Sequence, residues 1–213
     1  ARRDDGVKDP DFAGTVVETG PDVKNHKAGD RVAVDPIIWC GHCPACLRHH
    51  YPACTTLKLV GIDLDGGFSE YMKVPETMLY KVTDNISDEH AALVEVLSIG
   101  FHACKRAKVK EGDRVVIWGA GKVGQSILQA LRTKTQNTVI MVDILDERLA
   151  IAKNAYSDIH IINALKVNAV DRVKELTDGE GVDIAFEAVG HTKDLPGLVN
   201  PVRGCIQSIR GGG

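Results

Sequence analysis

Val115-Val116-Ile117-Trp118-Gly119-Ala120-Gly121-Lys122-Val123-Gly124 is the stretch on which the fold turns. A short apolar run of strand length passes directly into a G-x-G-x-x-G turn, and a helical pattern follows. In that setting Gly119 permits the tight turn, Gly121 lets backbone approach a pyrophosphate, and Gly124 lets helix and strand pack closely. An anion can then rest on the unpaired amides at the start of the helix, beside Lys122 and Val123. The motif alone is weak and is as often an ordinary turn; the strand before it and the helix after it give it meaning.

Working outward, strands are predicted at 114–118, 138–142, 159–162, 182–187 and 204–209, with helices at about 122–133, 146–155, 167–176 and 193–199. Strict alternation of strand and helix implies βαβ units, a parallel sheet and a doubly wound α/β domain. The second strand ends at Asp143, 19 residues past Gly124. That is near the spacing of an acid that accepts bonds from the ribose hydroxyls and repels a 2′-phosphate, so NAD is favoured over NADP. The plain alternative for Asp143 is a solvated strand end. Arg148 either lies along the adenosine or pairs with Asp146 or Glu147. Asp183, Glu187 and Gly190 lie around the fourth strand, and Val189 either faces the nicotinamide side or packs at the strand end.

Residues 1 to about 90 read differently. Phe12 to Glu18, Arg31 to Val34 and Phe68 to Val74 look like short strands broken by turns at Gly20-Pro21, Ala28-Gly29-Asp30 and Gly66-Gly67, the pattern of a small β-barrel. Within this half Cys40, Cys43, Cys46 and Cys54 are spaced C-x2-C-x2-C-x7-C. Four thiolates at that spacing can close a tetrahedron around one zinc, leaving no position open for chemistry. The expected domains are 1–98, with a zinc lobe at about 38–56, and 99–213. Ser87-Asp88-Glu89 reads as a helix start and Ala91 to Lys105 as the helix. Two disulfides within the cysteine cluster are the alternative to zinc. Cys104 and Cys205 read as buried, inert thiols.

The chain has 213 residues, 26 basic and 29 acidic, and a formal net charge of −3. No basic stripe marks a nucleic-acid partner. No apolar run is long enough to cross a bilayer, and the first residues lack a signal-peptide pattern. Clustered cysteines point to a reducing compartment, and the expected location is the cytoplasm. His42, within the cluster, is redundant beside four thiols. His49, His50 and His90 read as surface residues, His102 as a core residue, and nothing marks Ser98 as a nucleophile.

The zinc loop, then Gly66-Gly67-Phe68-Ser69-Glu70-Tyr71, then Glu111-Gly112-Asp113-Arg114-Val115, then the glycine turn together resemble the zinc-containing medium-chain alcohol dehydrogenases over nearly the whole chain. Ala92-Leu93-Val94-Glu95 resembles the polyol (sorbitol-type) branch, which has glutamate at this point where other alcohol dehydrogenases have cysteine. Leu57 to Asp63 leans towards the threonine dehydrogenase pattern. The resemblance implies a GroES-like domain beside a Rossmann domain and a second, catalytic zinc near Glu95. It also implies hydride transfer to NAD from a polyol or other secondary alcohol held in the interdomain cleft, and a homo-oligomer, dimer or tetramer. L-threonine is the alternative substrate. A non-catalytic dinucleotide-binding protein with only a structural zinc is the alternative of another class.

The family's early cysteine and its Gly-His-Glu segment have no counterpart here. Lys8-Asp9-Pro10-Asp11 stands at that place, with Asp11 at the acidic position and a candidate second carboxylate for the catalytic zinc. Residues missing between Pro10 and Asp11, and at both ends, are the expected explanation.

Overall fold

The structure is a computed structural model and describes residues 9–133, 136, 138–190 and 196–213. The chain divides into two compact units, Ala1–Glu95 and Val96–Gly213.

In the first unit β1 (Ala13–Thr15), β2 (Arg31–Val34) and β5 (Leu79–Lys81) form an antiparallel sheet in the order β1-β2-β5. β3 (Ile37–Ile38) pairs with β4 (Lys58–Leu59), and between them lies the four-residue helix α1 (Pro44–Leu47). Val34, Val60 and Met78 form the small core, with Phe12, Met72 and Val74 packed on it. The strand predicted at Phe68–Val74 is not formed. Met72 and Val74 turn inward, but Phe68 and Tyr71 stay exposed, and the segment has no ladder partner among the described residues. Side-chain periodicity alone does not make a strand; a paired neighbour does.

The helix expected across Ala91 to Lys105 is broken in two. Ser87 caps α2 (Asp88–Ala92) by accepting the His90 N–H; Leu93 ends that helix, and α3 (Val94–Arg106) begins afresh.

The second unit is built on a four-stranded sheet in the order β8-β7-β6-β9, from β6 (Val115–Trp118), β7 (Val139–Asp143), β8 (His160–Asn163) and β9 (Ile184–Glu187). All three pairings are parallel. The alternation of side chains along each strand sorts the apolar residues into two cores. Val115, Ile117, Val139 and Met141 face one side, packing with Leu128 and Leu131 of α4 (Lys122–Arg132) and Leu149 and Ala152 of α5 (Asp146–Ala155). Val116, Trp118, Ile140 and Val142 face the other side. There they meet Val170 and Val173 of α6 (Ala169–Glu175) and Cys205 of α7 (Pro201–Ser208). Helices therefore cover both faces, the doubly wound arrangement. No helix is long and apolar enough to cross a membrane among the described residues.

The end of the chain corrects the prediction. Residues 204–209, expected as a fifth strand, belong almost wholly to α7, and only Ile209 makes an isolated bridge, to Val182. Asn200 sets the start: its side chain accepts from the Val202 and Arg203 N–H groups, and Pro201 follows at the first helical position. Gly204, Cys205 and Ser208 then share one buried face at helical spacing. Of the helix predicted at 193–199, residues 193–195 lie outside the described ones, and 196–199 form a turn and loop.

At the opposite edge of the sheet from the glycine turn, Asp183 accepts the Arg114 N–H at 2.7 Å and the Arg210 guanidinium. The Arg114 amide first, then Arg210, hold its carboxyl below the usual 3.8. A depressed carboxylate contributes stability that is complete above the unfolded value and is lost as pH falls through the folded one. Asp183→Asn is expected to unfold at lower denaturant near neutral pH and to lose the acid sensitivity that wild type shows below pH 3.8. Denaturant midpoints across a pH series read this. Asn200→Ala is expected to cost about 1 kcal/mol in the same measurement.

Candidate zinc lobe and nucleotide site

The ligand atoms of Cys40, Cys43, Cys46 and Cys54 all lie within 4.8 Å of one another, with Cys40 Sγ 4.0 Å from Cys46 Sγ. Four sulfurs around one zinc stand about 3.8 Å apart, given Zn–S bonds of about 2.3 Å, so a slight contraction closes the tetrahedron. A disulfide needs an S–S distance of about 2 Å, and all four are free thiols. Local structure places them. Cys43 is the N-cap residue of α1 and Cys46 lies within that helix; Pro44, with no N–H to leave unpaired, is its first residue. The Cys43 N–H points at Cys40 Sγ (3.3 Å) and the Cys40 N–H at Cys54 Sγ (3.4 Å), which favours thiolates. Trp39 stacks on Tyr51 at 4.4 Å beside the sulfurs.

These thiols differ in acidity. The Cys46 amide, then that of Thr55, pull Cys43 down to about 5. The Cys40 amide lowers Cys54, while burial pushes Cys46 up to about 12. Among the described residues this is the one group of three or more His, Cys, Asp or Glu ligand atoms close enough to share an ion. Glu95, in the first turn of α3, and Asp11, ahead of β1, are both half-buried and join no such group.

In the second unit β6 delivers the glycine turn. Gly119 has φ 107°, open to glycine, and a Cβ there would meet the Ala188 carbonyl carbon at 2.7 Å. A Cβ on Gly124 would collide with the Gly119 carbonyl oxygen, so the helix packs against the turn only because that atom is absent. Lys122 is exposed at the start of α4, and Val123 packs into the core beneath it. Arg148 Nη1 would stand 3.8 Å from a Cβ on Gly121, so its guanidinium lies over the turn. Asp143, at the end of β7, is only 9% exposed. Its Oδ2 accepts the Ala120 N–H at 2.7 Å, and its Oδ1 accepts the N–H groups of Ile144 and Leu145 at 2.7 and 3.0 Å. At the end of β9, Glu187 Oε1 accepts from Val189 and Gly190, leaving the Val189 side chain half exposed.

A cavity of about 270 Å³ opens at the same carboxyl edge, walled by Trp118, Ala164, Leu165, Lys166, Asn168 and Val199. It adjoins the end of β7, because Ala164 N–H binds the Asp143 carbonyl at 2.9 Å. These wall residues carry no motif. The available signals were their places after strand ends and the N-cap role of Asn168, which accepts from the Val170 and Asp171 N–H groups.

The sequence matches two family models, the alcohol dehydrogenase GroES-like domain over residues 9–84 and the zinc-binding dehydrogenase domain over 123–203. The chain belongs to the zinc-containing medium-chain alcohol dehydrogenases. Within that family it is 35% identical to sorbitol dehydrogenase of Bacillus subtilis over 192 residues, 90% of this chain and 54% of that protein. It is 36% identical to L-threonine 3-dehydrogenase of Pyrococcus horikoshii over 185 residues, 87% of this chain and 53% of that one. A zinc-binding dehydrogenase from Sinorhizobium meliloti, solved with NADP, superposes with a TM-score of 0.89 at 27% identity, covering 98% of this chain and 59% of that one. The 2R,3R-butanediol dehydrogenase of Bacillus subtilis gives 0.79 at 34%, covering 94% and 55%. The chain thus spans little more than half the length of these relatives.

Zinc added to metal-depleted protein is expected to bind at about one ion per chain in the lobe. Because the thiols must lose their protons first, affinity falls as pH falls, and burial resists that ionisation at Cys46. Cys46→Ser is expected to remove most of the bound zinc and to lower the melting temperature of the first unit; metal analysis and calorimetry read both.

Proposed function

We propose that the chain is the zinc-lobe and cofactor-binding portion of a dehydrogenase that oxidises a polyol or another secondary alcohol with NAD. The single observation that carries this reading is the strand–turn–helix at Gly119–Gly124 ending beside a carboxylate at the tip of β7. Bound nicotinamide dinucleotide would supply the hydride acceptor. The residues present fit it. Gly119, Gly121 and Gly124 leave room for the pyrophosphate at the start of α4, where Lys122 and Val123 begin the helix. The cavity walled by Trp118 and the 164–168 loop offers room for a base. Asp143 puts negative charge where a 2′-phosphate would come, and Arg148 lies over the turn. Val189 lies at the strand end where the nicotinamide half would lie.

The four cysteines fit a structural zinc, closed to substrate, that holds a lobe with little regular structure of its own. A catalytic zinc site needs three protein ligands. Glu95 and Asp11 are the candidates within this chain. They do not complete such a set among the described residues.

The polyol reading is supported by a sorbitol dehydrogenase relative and an L-idonate 5-dehydrogenase relative, both at 35% identity. The L-threonine reading is supported by relatives at 36%. Titrating the zinc-loaded protein with NADH and NADPH, alone and beside sorbitol, L-idonate, 2,3-butanediol or L-threonine, separates them. The expected result is NADH binding, preferred over NADPH by on the order of tenfold and tightened by a polyol. Tightening by L-threonine alone replaces the substrate, and NADH binding unchanged by any of the four supports the non-catalytic reading.

A further inference from the structure

We infer that Asp143 is a positioning residue for the glycine turn as well as the acid that faces the ribose; the inference rests on the cofactor reading above. Both of its oxygens are engaged within the protein. Oδ2 accepts the Ala120 N–H at 2.7 Å, and Oδ1 accepts the Ile144 N–H at 2.7 Å and the Leu145 N–H at 3.0 Å. Ala120 lies between the first two glycines of the turn and is 2% exposed, so its amide cannot turn to water for a partner. Leu145 is the N-cap residue of α5. One carboxylate therefore ties the turn that opens α4 to the turn that opens α5, through bonds made stronger by its charge. The neighbouring Gly119 N–H is held to the Val142 carbonyl at 2.7 Å, so the turn is pinned at two successive amides from the end of β7.

The consequence runs against the ordinary expectation for an acid at this place. If Asp143 served mainly to exclude a 2′-phosphate, its neutralisation would improve binding of the phosphorylated cofactor. If it holds the turn, its removal leaves the Ala120 N–H buried without an acceptor, the turn relaxes, and both cofactors lose the same pyrophosphate seat.

The test titrates wild-type and Asp143→Asn protein, zinc-loaded, with NADH and with NADPH by intrinsic fluorescence. The expected result is that Kd rises for both nucleotides, by about tenfold each. A merely structural role would lower the melting temperature while leaving the affinities of the folded protein unchanged, and that outcome overturns the proposal. So does an NADPH affinity that improves or stays constant while NADH affinity falls. Amide exchange in nucleotide-free wild-type protein gives a second reading that does not depend on how the variant folds. The Ala120 amide is expected to exchange as slowly as those of β6, and exchange at the rate of an exposed loop overturns the proposal. Wild-type protein that binds neither nucleotide overturns the cofactor reading, and this proposal falls with it. The exchange result then still reports whether the bond itself is present.

Discussion

The second unit depends on the pairing of β6 on both its edges, with β7 on one side and β9 on the other. A central parallel strand has no polar face to give to water, and all four residues of β6 are buried. Its register fixes which side chains enter which core, and a slip of one residue would exchange the two sets. It also fixes where the strand stops. Trp118 is paired with Val142 and with Glu187, so the glycine turn, the Asp143 carboxylate and the 188–190 segment emerge at the same edge. The candidate nucleotide site is the product of that alignment.

The first unit is organised on another principle. Its sheets have three and two strands, and its apolar core is small. The lobe between β3 and β4 is ordered around sulfur. One four-residue helix, one stacked aromatic pair and a few amide–sulfur contacts surround Cys40, Cys43, Cys46 and Cys54. An ion held by these four sulfurs would offset part of the conformational entropy lost on ordering such a segment.

Much of this was legible from residue order. The cysteine spacing announced a four-ligand cluster because it is a local signal, and the glycine turn announced a parallel α/β domain because a strand precedes it, a helix follows it and the alternation continues. The misreadings have local causes too. The strand reading of 204–209 followed from the alternation of elements before it, whereas Cys205, Ile206 and Ile209 stand at i, i+1 and i+4, the spacing of a helix face. The stronger instruction was Asn200-Pro201, an N-cap followed by a residue suited to the first helical position. Phe68 to Val74 has strand-forming residues but no partner beside it, and pairing is not written in a segment's own sequence. The cavity wall at 164–168 was invisible because its residues are brought to Trp118 only by the crossing of β7. The double engagement of Asp143 was invisible as well: spacing gives a residue's address but not the atoms it already holds.

The chain contains two tryptophans, and the fold allots one to each unit. Trp39 is stacked beside the sulfurs, and Trp118 walls the cavity at the sheet edge. Indole emission is sensitive to its immediate surroundings, so the molecule carries separate built-in optical probes of its two candidate sites. Loss of an ion from the lobe would disturb one chromophore and arrival of a base in the cavity the other, and replacing either ring by phenylalanine would silence one signal while preserving the second.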